Sequence, residues 1–237
     1  MVHLSRSEAP EWWPIKRKGY RWAIKPSPGP HSADRSIPLA AVIRDVLGYA
    51  KTLKEARFII GQGQVKVDGV VRRDYKYPVG LMDVVEIVPT GEVYRVVPDN
   101  VKFFKLIKID KSEAKLKICR IENKTAVKGG LIQLNLHDGR NYVVNQDEAS
   151  KYETLGSVLI DLEEGKILDY VPMQPGVYVM AFDGNNVGMH GVLQGWIRTF
   201  RRRDAIATVK SGDVEFRTIL KYLIPVGREK PLIKVAE

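Results

Sequence analysis

The 237-residue chain contains a single cysteine, Cys119, which excludes an intramolecular disulfide and any multi-cysteine zinc site. Its four histidines, His3, His31, His137 and His190, are scattered without metal-ligand spacing. No apolar run approaches the roughly 20 residues that span a bilayer. The N-terminal stretch is polar and aromatic and lacks the apolar core of a signal peptide. Helix is scarce as well, with two stretches at helical spacing among many short β-branched, turn-rich segments. These shortages point to a soluble, intracellular chain of several small β-rich modules rather than one large sheet. Cys119 lies in the alternating run Leu116-Lys117-Ile118-Cys119-Arg120 and reads as a small strand residue rather than a nucleophile, because no histidine is near it in sequence.

Positive charge is what the chain has in excess. The net charge is +10, and its placement is uneven: +4 over residues 1–36, +2 over 37–98, zero over 99–172 and +4 over 173–237. Cations gathered at both ends and in the first folded segment suggest a polyanion partner. A membrane surface is the competing polyanion, but no long basic amphipathic helix supports it.

Residues 1–36 read as a basic, extended arm. Lys16, Arg17, Lys18, Arg21 and Lys25 interleave with Trp12, Trp13, Tyr20 and Trp22, and Pro26, Pro28 and Pro30 break regular structure. Cations can neutralise phosphates while the aromatic rings stack on exposed bases. Equally, the tryptophans can fold back onto the neighbouring domain.

Residues 37–98 carry the sharpest pattern. Leu39, Val42, Ile43, Val46 and Leu47 predict a first helix. Thr52-Leu53-Lys54-Glu55 is a capping box, Ala56, Ile59 and Ile60 give a buried stripe, and Gly61 fits a left-handed helix stop. Val65-Lys66-Val67, then Asp68-Gly69, then Val70-Val71 predict a tight hairpin, with a further strand at Asp83–Val88. Lys51, Lys54, Arg57, Lys66, Arg72, Arg73 and Lys76 all leave the stripe free and can share the solvent side. The plain alternative is a solvated face that keeps a small domain soluble.

Short strands and turns follow from 99 to 172, at Phe103–Ile109, Lys115–Ile121, Leu131–Leu136, Asn141–Val144 and Ser157–Ile160. Their alternating charge reads as a solvent face. The stretch 173–237 repeats the style, and its strands are separated by the turn Asp183-Gly184-Asn185-Asn186-Val187-Gly188-Met189-His190-Gly191. That turn is not a P-loop, since no Lys-Ser or Lys-Thr follows its last glycine. Arg198, Arg201, Arg202 and Arg203 form a dense cationic loop shortly after it.

In this order the pieces resemble the archaeal and eukaryotic small-subunit ribosomal proteins of the S4e family. The resemblance is carried by Gly29-Pro30-His31-Ser32, by Val65 to Asp74, by Tyr77 to Val84, by Thr90-Gly91-Glu92, by Ala114 to Cys119, by Asp161 to Ile167 and by Gly184 to Gly191. It implies a mostly β, α+β chain of four parts. These are a basic N-terminal arm (1–36), an S4-type α+β RNA-binding domain (37–98), a central β domain (99–172) and a C-terminal KOW-type, SH3-like β-barrel with a short tail (173–237). It places phosphate contacts on Lys51, Lys54, Arg57, Lys66, Arg72 and Arg73, and matches Asn186 to the asparagine of the KOW turn, beside Asn185. Met189 stands where relatives carry a basic residue, which shifts the expected contact to Arg198 and Arg201–Arg203. The short end after Pro231-Leu232-Ile233 fits an archaeal source.

The function implied is that of a structural constituent of the small ribosomal subunit, located in the cytoplasm. Its partners would be small-subunit (16S-type) rRNA and neighbouring ribosomal proteins, with no cofactor, membrane or small-molecule substrate. Clustered cations would release condensed counterions, and RNA shape would supply specificity. Two rivals stand beside this reading. One is an RNA-modifying enzyme gripping RNA through an S4 module, for which Asp138-Gly139-Arg140 is the fragment to test, although Asp138-Gly139 reads first as a hairpin turn. The other is a factor that visits the translation or transcription machinery through its barrel.

Overall fold

The computed structural model of the protein describes residues 3–16, 18–101, 103–198, 201–212 and 214–235. The regular structure is mostly strand, with few helices, and three five-stranded antiparallel sheets carry it.

The first sheet grows from local signals. The Thr52 hydroxyl accepts the Glu55 N–H at 3.2 Å and the Glu55 carboxylate accepts the Lys51 N–H at 2.8 Å, which starts the helix Leu53–Gly61. Ala56 and Ile60 are buried and Ile59 half-buried. The left-handed stop falls at Gly63 (φ +74°) rather than at Gly61, which stays helical. Gly63 donates to the Ile60 carbonyl and Gln64 to that of Ile59, so the last carbonyls are satisfied two residues later than the lone Gly61 suggests. Asp68 (φ +51°) and Gly69 (φ +76°) then make the two-residue turn between Val65–Val67 and Val70–Val71. The sheet runs Val70–Val71, Val65–Val67, Val84–Ile87, Glu92–Asp99, Phe103–Ile109. It therefore extends past residue 98, because Val93 to Asp99 pair in register with Phe103–Ile109.

The first predicted helix is broken. A single α-turn, Leu39–Ala41, passes into a π-helical turn, Val42–Val46. Leu39, Val42 and Ile43 are fully buried, but the wider turn rotates Val46 out to solvent.

The N-terminal segment does not run free. Leu4–Ser5 pairs with Trp22–Ala23, Trp13 is buried with its indole N–H on the Ser36 carbonyl at 3.1 Å, and Trp12 packs on Phe103 and Phe104. Burying these rings outweighs the backbone irregularity imposed by the prolines. Tyr20 and Trp22 remain exposed.

The middle sheet orders as Asn141–Asn145, Leu131–Leu136, Leu116–Val127, Ser157–Asp161, Ile167–Val171. Its long central strand does not alternate as the sequence suggests. Lys117 to Ile121 are buried in succession, because neighbouring segments cover both of its faces. The third sheet orders as Val214–Ile219, Ile206–Ser211, His190–Ile197, Tyr178–Ala181, Leu223–Gly227. One core joins the arm, the helical segment, the hairpin sheet and parts of the other two sheets, and Ile233 and Val235 enter it from the far end of the chain.

Candidate nucleic-acid interface

Cations stand on the helix–hairpin unit because its apolar stripe points inward. Lys51, Lys54, Arg57 and Arg73 are exposed, and Lys66, Arg72 and Lys76 half-buried. Tyrosines hold three of them in place. The Arg57 guanidinium lies 4.0 Å from the Tyr75 ring centroid and bonds its hydroxyl, the Lys76 ammonium lies 5.6 Å from the same ring, and Arg72 lies 4.5 Å from that of Tyr77. Lys66 pairs with Glu86 at 3.4 Å across the sheet. The sequence gives no cue to Tyr75 and Tyr77 as platforms, since each ring meets its cation only once the hairpin has closed. Phe58 stands two-thirds exposed on the same helix.

Behind this face lies a buried charge cluster that fixes the hairpin to the middle sheet. The Lys117 ammonium is fully buried, 2.6 Å from Asp68, 2.6 Å from Asp83 and 3.2 Å from Asp138. Arg140 reaches Asp68 at 3.0 Å, and His31 reaches Asp83 at 3.0 Å. Asp68 also accepts the Val84 N–H, and Asp83 that of Gly80. Burial disfavours every one of these charges, and mutual attraction decides the outcome. Burial raises Asp83 and Asp138, but Lys117 outweighs it and holds both well below the usual carboxylate range. Burial lowers Lys117, and three carboxylates push it well above its usual value. Burial wins at Asp68, whose carboxyl is raised.

Asp138-Gly139 is a hairpin turn, with Gly139 at φ +78°, and Asp138 spends its carboxylate on Lys117, Arg140 and the Cys119 thiol. Burial pushes that thiol far up, so Cys119 is an inert strand residue. This fragment is a structural lock. Among the described residues no group of His, Cys, Asp and Glu is placed to hold a metal ion, and no helix is long and apolar enough to cross a membrane.

The other sequence-predicted residues are dispersed. Lys16, Lys18, Arg21 and Lys25 are exposed on the arm, with Arg21 4.9 Å from the Trp22 ring; Arg17 lies outside the described residues. Asn185 is exposed, but Asn186 donates its amide to the Arg217 carbonyl at 2.8 Å and so holds the turn together. A Cβ on Gly188 would meet the Asp99–Asn100 backbone at 2.7 Å, so this turn faces its own protein. Arg198 and Arg201 are exposed; Arg202 pairs with Glu153 at 2.9 Å and Arg203 with Glu122 at 2.8 Å.

A capped helix followed by a two-residue hairpin, with cations on its open side, defines an S4-domain protein, and the match to the S4 domain family covers residues 37–85. Residues 2–34 match the RS4NT (NUC023) domain and residues 90–167 the ribosomal family S4e. The small ribosomal subunit protein eS4 of Caldivirga maquilingensis is 66% identical over all of both chains, and that of Pyrobaculum neutrophilum 55% identical, again over all of both. The crystal structure of the 30S ribosomal protein S4e from Thermoplasma acidophilum superposes with a TM-score of 0.71 at 30% identity, covering 82% of this chain and 96% of that one. The chain belongs to the eS4 family of small ribosomal subunit proteins.

Proposed function

We propose that the protein is a structural constituent of the small ribosomal subunit, in the cytoplasm, that binds 16S-type rRNA and helps hold its fold. The observation that carries this reading is the tyrosine-braced cation face of the S4 domain, in a chain two-thirds identical to a small-subunit protein. The family is ribosomal and not a family of enzymes.

RNA phosphates meet Lys51, Lys54, Arg57, Lys66, Arg72, Arg73 and Lys76 on this face. The exposed cations of the arm and Arg198 with Arg201–Arg203 supply two further contacts. Binding is driven by counterion release, and bracing on tyrosine lowers the ordering cost of each guanidinium. The four parts run 1–36, 37–98, 99–172 and 173–237, with the sheet of the second part borrowing Phe103–Ile109 from the third, and the last part of KOW type. Neighbouring ribosomal proteins are the remaining partners.

Sucrose-gradient sedimentation of a native lysate, before and after a high-salt wash, tests the reading. Stoichiometric, salt-resistant co-migration with the small subunit is expected. Protein that stays at the top or washes off easily would make it a transient factor.

A further inference from the structure

Two cavities meet where the arm, the middle sheet and the third sheet come together, and they share Arg35, Arg120 and Glu122. The outer one, about 420 Å³, is cationic: Arg201, Arg203 and Lys221 join the two shared arginines around it, against Glu122 and Asp204. The inner one, about 280 Å³, has an apolar, aromatic wall of Leu81, Phe103, Phe104, Phe182 and Ile224. Arg201 and Arg203 are expected phosphate contacts from the sequence, whereas Arg35, Arg120 and the aromatic chamber carry no role assigned so far.

We propose that this double cavity is a binding site for one unstacked RNA nucleotide, its phosphate in the cationic mouth and its base in the aromatic chamber. The inference rests on the rRNA-binding reading above and deepens it, giving the Arg201–Arg203 contact a nucleotide site of its own.

The chemistry of the walls favours a nucleotide over a bare anion or an acidic peptide. A phosphate alone would leave the aromatic chamber unused, and an acidic peptide offers no flat ring to fill it. Arg120 is the hinge between the two parts. Its guanidinium is buried 4.6 Å from the Phe182 ring centroid, bonded to the Lys221 and Leu223 carbonyls and to Glu122. Arg35 pairs with Asp183 and Arg203 with Glu122, and both side chains are about half accessible, so each can exchange its carboxylate for a ligand phosphate. Burial lowers the affinity of Arg120 for its proton, Glu122 works against that, and repulsion from Arg203 and Arg35 adds to it. An incoming phosphate relieves that repulsion.

The chamber floor itself is neutral. His137 accepts the Arg120 N–H on Nδ1 and sets Nε2 on the Leu81 carbonyl, and burial holds its pKa at about 4. Phe103 keeps a left-handed backbone (φ +63°), which a non-glycine residue holds only under constraint, and it packs against both Trp12 and Phe104, which also touch each other. Its ring is thus fixed in the chamber wall before any ligand arrives. Aromatic walls of this kind bind bases by stacking, without regard to sequence.

The test uses the full chain and an in vitro transcript of the small-subunit rRNA, in filter binding between about 50 and 200 mM salt. Ser32 is exposed on the chamber rim, so Ser32→Trp fills the chamber without altering charge or core. It should weaken binding roughly tenfold, as expected for one lost stack, with the salt dependence unchanged. Arg203→Ala should weaken binding and reduce the salt slope by about 1, the mark of one lost phosphate contact. Ultraviolet cross-linking of the wild-type complex should leave a nucleotide adduct on the peptides holding Phe103–Phe104 or Phe182, and Ser32→Trp should abolish it. If both variants melt and bind like the wild type while charge reversal of the S4 face abolishes binding, the double-cavity site is wrong and the rRNA reading stands. If the wild type itself does not bind the transcript, both fall.

Discussion

The ammonium of Lys117 and the carboxylate of Asp68 stand 2.6 Å apart, both buried, although 49 residues separate them. Asp68 is also the first residue of the hairpin turn that presents the cation face. One contact thereby sets the angle of the hairpin against the middle sheet and ties binding geometry to the interior.

Replacing Lys117 by methionine should be among the most damaging single changes in the protein. The side chain would fit, but Asp68, Asp83 and Asp138 would be left without their shared cation. A loss of about 3–5 kcal/mol is expected, the range for breaking a buried pair from one side. Urea denaturation followed by circular dichroism measures it, and a loss below about 1 kcal/mol would show that the cluster is solvated.

Charge reversal of Arg57, Arg72 and Arg73 together should cut affinity for small-subunit rRNA far more than reversal of Lys105, Lys108 and Lys151. Three lost phosphate contacts should also flatten the salt dependence by about 3 in slope. Equal losses from the two triple variants would rule out the helix–hairpin face as the main contact.

Acid should weaken the fold in a defined window. Burial lowers His137 from 6.5 to about 4. Between these values the unfolded chain binds the proton and the folded chain does not, so its contribution is complete above 6.5 and is lost as pH falls toward 4. The loss is at most about 3 kcal/mol, and less in practice because the ring borders a cavity open to water. Asp83 and Asp138, held low, add a further loss below the carboxylate range, while the raised Asp68 offsets part of the His137 loss above that range. Thermal melting from pH 7 to pH 4 should show the decline, and His137→Gln should flatten the part above pH 4.5, roughly.

Two glycines two residues apart should answer oppositely to alanine. Gly61 is helical with open space around its missing Cβ, so Gly61→Ala should stabilise by about 0.5–1 kcal/mol. Gly63 is left-handed, and a Cβ there would press on Val71 at 3.1 Å, so Gly63→Ala should destabilise by about 1–2 kcal/mol. Melting temperatures moving in the same direction would contradict the helix stop described above.

What the sequence made legible was local. Thr52 and Glu55 lie three residues apart, and Asp68 and Gly69 are adjacent, so their conformations are settled by near neighbours. The burial of Lys117 and Arg120 could not be read from the alternation around them, because the segments that cover that strand arrive from residues 68, 83, 138 and 221. The Gly61 stop was misplaced because Gly63 lies close behind it, and only the backbone decides between them. For the binding face, the positions of the cations were legible on the helix and hairpin. Their aromatic supports, and the arginines drawn to the cavity between modules, depend on tertiary packing.

Ile233 and Val235 fill the same core as Trp13, and the Lys234 carbonyl between them accepts from the buried Arg95 guanidinium. A ribosome making this chain delivers Trp13 early and Val235 more than 200 residues later. Until then the hydrophobic interior has an open seam, and Arg95 lacks one of its acceptors inside it. The nascent protein can close its hairpin and helix as they emerge, but it completes its interior only once residues 233–235 are available. Protease sensitivity of stalled chains should therefore persist through residue 232 and drop once residue 235 has cleared the exit tunnel.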